Sequence, residues 1–320
     1  MRRLFVNEEV RLRAGWRLLA QFLLYNAGVS LTGVLTLAAV AGLSPGAAEG
    51  APSPYLPILS YAGVALVAVA SVWACGRSLD GRPFSEFGLR LDRAWWSDLG
   101  FGLLLGALLM TGIFLAQLAA GWTEVTGSFV GVDGGAFFPA ILAPAALFVC
   151  VGFYEELVSR GYQLTNLAEG LNGAVVGARG AIVLAWVLSS SIFAAIHLSN
   201  PNTSALSTLN IFLAGMMLGS GYVLTGQLAI PIGLHTTWNF FQGNVFGFPV
   251  SGLDPLGVSF LSTRQAGPDL LTGGPFGPEA GLLAPAAMAL GVLLIALRVR
   301  RRGGKLSLHR PLAESPLKPH

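Results

Sequence analysis

The chain has 320 residues, of which 53% are hydrophobic and only 11% are charged. Soluble domains carry about 25% charged residues, so this composition excludes an ordinary soluble domain. The apolar content also excludes an intrinsically disordered chain. Because basic residues flank apolar runs and form no separate basic domain, we expect no nucleic-acid partner. Runs of about 20 apolar residues match the length of a bilayer-spanning helix. The sequence therefore predicts a multi-pass membrane protein in the lipid bilayer.

Apolar stretches bounded by proline, glycine or charge predict an all-α bundle of about eight transmembrane helices. Their expected ranges are 16–43, 55–76, 99–121, 137–166, 180–198, 205–225, 229–246 and 281–298. We expect a basic N-terminal segment over 1–15, the bundle over 16–300 and a basic tail over 301–320, with 303–320 floppy. The Gly- and Pro-rich stretch 248–279 is predicted to be an external loop without recognisable chemistry.

Basic residues alternate between the two ends of the predicted spans. They cluster at the N-terminus, after the second and fourth spans, and after the last span, whereas the opposite loops contain only Arg264 and several acidic residues. Loops rich in Lys and Arg stay in the cytoplasm of membrane proteins. We therefore expect both termini in the cytoplasm, an even number of spans and a location in the plasma membrane.

One group of charged residues falls inside an apolar stretch, in the fourth predicted span. Each charge near the bilayer centre costs roughly 2.5–3.5 kcal/mol on insertion scales, so function is the default hypothesis for this group. Arg160 follows Glu156 by one helical turn on the same face, which predicts an ion pair. Glu155 lies about 100° around the helix and is the candidate reactive carboxylate. A structural carboxylate at a helix end is the alternative.

Two of the four histidines also lie in apolar spans, and the other two fall in the tail. His197 follows Phe193 by four residues and His235 precedes Asn239 by four, so each pair shares a helix face. A lone embedded histidine is more often a hydrogen-bonded core residue than a ligand. Two of them, with a carboxylate and an amide on three spans, favour a functional site.

Glu155, His197 and His235 together allow two chemistries. Two imidazoles and a carboxylate can bind a catalytic divalent metal, expected to be Zn²⁺, and leave one position for water. The same groups can also hold a water that the carboxylate deprotonates without a metal. Both routes lead to hydrolysis, and Asn239 would donate a hydrogen bond to the developing oxyanion.

Three motifs lie in order along the chain: EExxxR over 155–160, FxxxH over 193–197 and HxxxN over 235–239. Together they resemble the CAAX prenyl protease 2 family, also called the CPBP or Abi family of intramembrane metalloproteases, over about 138–245. The resemblance implies an eight-helix fold and hydrolysis of peptide bonds in peptide or protein substrates, prenylated or membrane-anchored ones among them. The residues that it would make catalytic are Glu155, His197, His235 and Asn239, supported by Glu156, Arg160 and Phe193.

Other functional classes stay open at this point. A transporter also needs an embedded Glu/His relay, although no inverted repeat is visible. A noncatalytic membrane scaffold, linked to bacteriocin immunity, would keep the motifs as structure. The GxSxG match over 42–46 lies in a Pro/Gly connection without the strand–turn–helix context of a serine nucleophile. An aspartyl protease is excluded because every aspartate maps to a loop or a span boundary.

Overall fold

A computed structural model describes residues 5–7, 9–43, 56–131, 136–254, 256–303 and 305–316. Within these ranges, seven helices are long and apolar enough to cross a membrane. They confirm the prediction of a mostly helical, multi-pass bundle. The candidate spans are Ala14–Ala39, Pro57–Asp80, Arg93–Ala119, Phe137–Leu171, Gly177–Ser199, Ala205–Thr225 and Leu283–Gly303.

We number the helices and strands in chain order. The helices are α1 (Ala14–Leu43), α2 (Leu56–Cys75), α3 (Arg93–Ala119), α4 (Phe137–Ala140), α5 (Leu142–Glu156), α6 (Thr165–Leu171), α7 (Gly177–Ile196), α8 (Ala205–Thr225), α9 (Ala229–Phe240), α10 (Asp269–Thr272) and α11 (Leu283–Gly303). The strands are β1 (Thr123–Val130) and β2 (Ser259–Gln265). Wider π-helical turns follow α2, α5 and α9, at Gly76–Asp80, Leu157–Leu164 and Phe241–Val245.

Local sequence fixes where two of the spans begin. The Asp92 carboxylate accepts a hydrogen bond of 2.8 Å from the backbone N–H of Trp95 and so caps α3. Ser204 and Ser207 form a reciprocal capping box at the start of α8. Such caps satisfy N–H groups that have no partner within the helix. The caps therefore determine where both helices begin: α8 begins at 205 as predicted, whereas α3 begins at Arg93, ahead of the predicted start at 99.

The seventh predicted span, 229–246, is not among the candidate spans and corresponds to α9 and the π-helical turn after it. Nearly every residue of α9 is buried, because this short helix packs along α3 inside the bundle. A side chain at Gly102 or Gly106 of α3 would collide with the carbonyl oxygens of Ile230 or Leu234. Small residues allow membrane helices to approach this closely. Glycines thus bring the helix that carries His235 into the centre of the bundle.

A small antiparallel sheet was not predicted. Strands β1 and β2 pair from Thr123 opposite Gln265 to Val130 opposite Ser259, with an irregularity beside Gly127. The expected loop 248–279 therefore contains a strand, as well as the short helix α10. The burial of both strands shows no regular alternation, so the sequence pattern gave little sign of them.

The expectation of a floppy tail is wrong for the described residues 305–316. The His309 backbone N–H donates to the carbonyl of Val223 over 2.8 Å. Leu312 and Ala313 are buried, and the Asn172 amide donates to the carbonyl of Ala313. Leu312 and Ala313 thus anchor a basic segment that was expected to be floppy from its composition. Residues 317–320 of this tail, residues 1–4 and 8 of the N-terminal region, and residues 44–46 of the GxSxG match lie outside the described residues.

Ion pairs join the two ends of the chain on one face of the bundle. The Arg11 guanidinium bonds to the hydroxyl of Ser315 over 2.8 Å and to the carboxylate of Glu169 over 2.6 Å. Arg17 pairs with Asp80 at the end of the second span. We call this side, which carries residues 9–13, 76–92, 169–177 and 305–316, the terminal face. The side that carries β1, β2, residues 199–204 and residues 246–282 is the opposite face.

Candidate active site

A cavity of about 480 Å³ lies between α2, α5, α7, α8 and α9. Its lining includes four polar side chains on three helices, Glu155, His197, His235 and Asn239. Cavities of this size commonly bind small molecules or peptide side chains. The structure thus brings together the four residues that the sequence analysis singled out, although they are far apart in the chain.

The predicted ion pair between Glu156 and Arg160 is present beneath this cavity. Arg160 Nη1 lies 2.9 Å from Glu156 Oε1, and both side chains are completely buried. Arg160 Nη2 also donates to the carbonyl of Gly215, and the guanidinium lies 4.3 Å from the centre of the Phe193 ring. Phe193 therefore stacks on the cation, which stabilises a buried arginine.

Glu156 has a second partner that the sequence did not reveal. His235 Nδ1 lies 2.9 Å from the same oxygen, Glu156 Oε1. A carboxylate accepts hydrogen bonds, so Nδ1 carries the proton and Nε2 of the neutral ring is an acceptor. Because 79 residues separate the two side chains in the chain, no local periodicity could have paired them.

His197 is oriented in a similar way by the backbone of its own helix. Its Nδ1 lies 2.7 Å from the carbonyl oxygen of Phe193, one turn earlier, and donates to it. The Phe193 ring lies 4.8 Å from the His197 ring and 6.1 Å from the His235 ring, measured between centroids. The FxxxH motif thus supplies both a carbonyl acceptor and an aromatic wall. The other ring nitrogen of His197, Nε2, does not take part in the bond to the Phe193 carbonyl.

Glu155 is bonded very differently from its neighbour Glu156. Its Oε2 lies 3.9 Å from Nε2 of His235. This oxygen is buried and has no hydrogen-bond partner among the described residues. Its Oε1 accepts only a long hydrogen bond of 3.4 Å from the Tyr154 hydroxyl. Two acceptors separated by about 4 Å can be bridged by a water that donates one hydrogen to each.

Helix lengths explain how His197 reaches the same cavity as Glu155. With spans that end at 166 and begin at 180, as predicted, His197 would lie about 9 Å farther from the connection between them than Glu155 does. In the structure α6 ends at Leu171 and α7 begins at Gly177. At 1.5 Å per residue, Glu155 and His197 then lie about 24 and 30 Å from this hairpin. Asn200, in the irregular segment after α7, also lines the cavity.

Comparison with known proteins adds one finding. Residues 137–241 match the family model described as type II CAAX prenyl endopeptidase Rce1-like. We call these residues the Rce1-like region, for the family that they resemble. The region spans α4 to α9 and holds the three motifs. None of the curated proteins and none of the solved structures compared with the chain matches it.

Further polar residues at the cavity lie outside the Rce1-like region, in the stretch that was expected to lack chemistry. Glu279 is buried, and its Oε1 accepts hydrogen bonds from the backbone N–H and the hydroxyl of Ser251. Burial raises the pKa of the Glu279 carboxyl and outweighs the opposing effect of these bonds. Asp254 lines the rim of the same cavity. The one sequence signal was an acidic residue directly before the last apolar span.

The fit of a metal was tested on the donor atoms. No group of three or more His, Cys, Asp or Glu side chains within the described ranges is arranged to hold a metal ion. Glu155 Oε2 and His235 Nε2 lie 3.9 Å apart. Among the described residues, no third His, Cys, Asp or Glu side chain joins them in a group that could bind a metal ion. The set Glu155, His197 and His235 therefore does not fit Zn²⁺ in this arrangement. Zinc binding stays a prediction.

Proposed function

We propose that the chain is an intramembrane endopeptidase of the CAAX-processing type, in which Glu155 activates a water against a peptide bond. The observation that carries this proposal is the unpaired, buried Oε2 of Glu155, 3.9 Å from Nε2 of His235 in a cavity. A water between them donates one hydrogen to each acceptor, so that its lone pair is free to attack. Such positioning suits general-base catalysis.

The reaction then runs through groups of this chain alone. Glu155 Oε2 takes a proton from the water as its oxygen attacks the substrate carbonyl carbon. Asn239, one turn after His235, donates a hydrogen bond to the oxyanion that forms, and the His197 ring lines the cavity beside the reacting groups. The C–N bond breaks as Glu155 returns the proton to the leaving amine. The proton balance therefore closes without another reactant.

Glu156, Arg160 and Phe193 act in support. The Arg160 guanidinium neutralises Glu156, and Phe193 covers the cation, so the carboxylate holds the ring of His235 without adding net charge. Removing one member of a buried pair leaves the other uncompensated. Glu156 and Arg160 position the reacting groups and do not line the cavity, whereas Phe193 also forms part of its wall.

The substrate is a peptide or protein reached within the bilayer. We infer a plasma-membrane location, with both termini in the cytoplasm, from the basic residues on the terminal face. The hydrogen bond between Arg11 and Ser315 supports this topology, because it joins the N-terminal and C-terminal segments on the same face of the bundle.

The test uses purified full-length protein in detergent and a set of membrane-proximal, internally quenched peptides. We expect cleavage by wild type and no cleavage by Glu155→Ala or His235→Ala, with all three proteins monodisperse. Ser128→Ala, an exposed change on β1, is the matched control and should cleave like wild type. Retained cleavage by Glu155→Ala would sink the mechanism.

A further inference from the structure

The cavity lies in one half of the bundle, toward the opposite face. Helix α2 lines it only through its first turns, at Pro57 and Tyr61. Helix α7 contributes residues only at its end, His197 follows directly after it, and α9 contributes residues from Leu234 to Asn239. Helix α8 contributes residues 211–218, near its middle. The cavity therefore extends from the middle of the bundle toward the end that lies away from the terminal face.

The openings of the cavity agree with this placement. On the terminal-face side of Glu155, the side chains of Glu156, Leu157 and Arg160 are inaccessible to solvent and do not line the cavity, so the cavity is closed on this side. At the other end, Leu253 is 47% exposed and Asp254 is exposed, and both line the cavity. Water and substrate thus reach Glu155 from the opposite face, between the loop 249–254 and the end of α7.

Charge distinguishes the two faces. The opposite face carries one basic residue among the described ones, Arg264, which pairs with Glu124 over 2.5 Å. Apart from Arg160, the other described basic residues lie on the terminal face and the span ends next to it: Arg11, Arg13, Arg17, Arg77, Arg82, Arg90, Arg93, Arg179, Arg298, Arg300, Arg301, Arg302, Lys305 and Arg310. A bias this strong places the terminal face in the cytoplasm. The mouth of the cavity then faces the extracytoplasmic side.

The charges in the cavity bear on which part of a polypeptide fits. Its described lining contains three acidic residues, Glu155, Asp254 and Glu279, and no Lys or Arg. The α-carboxylate of a chain end would lie near the carboxylates of Glu155 and Asp254, and no Lys or Arg of the lining could bind it. An internal segment, in which the next peptide bond replaces the carboxylate, avoids this repulsion.

We propose that the cavity takes membrane-proximal internal segments of polypeptides from the extracytoplasmic side of the membrane. This inference rests on the proposed peptidase chemistry at Glu155. It replaces the C-terminal tail of a CAAX-type substrate by an internal segment, and it adds the side from which that segment arrives. A free C-terminal tail presented from the cytoplasm is disfavoured both by the closed terminal-face side of the cavity and by the acidic lining.

The first experiment determines the orientation in intact cells. The full chain, with Cys75→Ala and Cys150→Ala as background, carries either Ser128→Cys on β1 or Val175→Cys on the terminal-face hairpin, where Val175 is 99% exposed. A membrane-impermeant maleimide is expected to label Ser128→Cys in intact cells and Val175→Cys only after permeabilisation. The reverse pattern, or equal labelling of both, would overturn the proposal.

The second experiment determines the side of cleavage in sealed membrane vesicles that contain the full chain. The probe is a water-soluble, internally quenched peptide with its scissile bond three residues from an amidated C-terminus. Right-side-out vesicles should cleave it at least about tenfold faster than inverted ones, and the amide at least about tenfold faster than the free acid, each a difference of about 1.4 kcal/mol. Faster cleavage by inverted vesicles, or of the free acid, contradicts the proposal.

Detergent-solubilised protein separates this inference from the proposed function, because both faces are then open to the probe. Cleavage in detergent with preference for inverted vesicles would leave the peptidase standing and overturn the extracytoplasmic site. Absence of any cleavage in detergent would overturn the proposed function and this inference with it, whatever the maleimide labelling gives. Glu155→Ala in the same vesicles reports the background rate.

Discussion

Two buried clusters of charge lie at different depths of the bundle, and the bonding of their carboxylates differs. On the terminal face, Glu169 Oε1 bonds to Arg11 and Arg17, and its Oε2 bonds to Arg82 over 2.9 Å. At the cavity, Glu155 Oε2 has no hydrogen-bond partner among the described residues. A free buried oxygen alone does not mark the reactive group, because Asp80 and Glu156 each have one as well. Those two carboxylates are paired with Arg17 and Arg160, as Glu169 is with its arginines, whereas no ion pair with Lys or Arg forms at Glu155 among the described residues. The lack of an arginine partner, more than burial, separates the carboxylate proposed for chemistry from those that hold helices together.

The largest expected effect is the loss of the imidazole opposite Glu155. His235→Ala removes one of the two acceptors for the water, so we expect peptide cleavage to fall by roughly 10²–10⁴-fold, the usual contribution of a positioned acid–base group. Glu156 keeps its bond to Arg160, so the melting temperature should change little. Initial rates and thermal melts of the purified protein measure both. Wild-type rates in His235→Ala would mean that Glu155 acts without it.

Arg160→Ala sharpens the comparison from the side of stability. It leaves Glu156 as an uncompensated buried charge, which costs roughly 3–5 kcal/mol in the free energy of unfolding. Activity should fall as well, because His235 loses its fixed orientation. Denaturant unfolding in detergent measures the loss, with Arg179→Ala, an exposed change, as control. A variant that is inactive yet as stable as wild type would assign Arg160 a direct part in catalysis.

Metal content tests the alternative chemistry of the same cluster. Because the described donor atoms do not converge on an ion, we expect less than stoichiometric zinc in purified protein and full cleavage in the presence of a chelator. Elemental analysis of wild type and of a His197→Ala, His235→Ala double variant measures this. Stoichiometric zinc that is lost in the double variant would restore the metal route, with Glu155, His197 and His235 as its ligands.

The smallest effect concerns Glu279, a buried carboxyl on the opposite face. Burial raises its pKa above the ordinary value of 4.5, so the folded protein holds this proton at pH values where the unfolded chain has lost it. Stability contributed by the group is therefore present below pH 4.5 and declines as the pH rises through the folded pKa. Glu279→Gln should flatten this decline in melting temperature between pH 4.5 and neutrality. An unchanged pH profile would contradict the assignment.

The sequence predicted what depends on neighbours along one helix. The Glu156–Arg160 pair and the Phe193–His197 contact are one turn apart, and both are present. The spans followed from apolar length, because a bilayer imposes it. Contacts between distant segments, such as His235 with Glu156, depend on how helices pack and have no local pattern.

Residues outside the spans were the hardest to predict. Glu279, which meets Ser251 at the cavity, follows a Gly- and Pro-rich stretch with no periodicity. The tail pairs Leu312 with the bundle through only a few apolar atoms, too few for composition to signal. In both cases the partner surface comes from distant parts of the chain, so the local sequence of the segment could not predict the contact.

A direct test of the account compares two conservative changes side by side, Glu155→Gln and Glu169→Gln, at matched folded protein. Both keep side-chain shape and remove one negative charge. The account predicts that Glu155→Gln loses cleavage by roughly 10²–10⁴-fold while melting like wild type. It predicts that Glu169→Gln keeps the wild-type rate per folded molecule while losing about 2 kcal/mol of stability, because charge-assisted bonds weaken. Cleavage at the wild-type rate by Glu155→Gln would contradict the central claim.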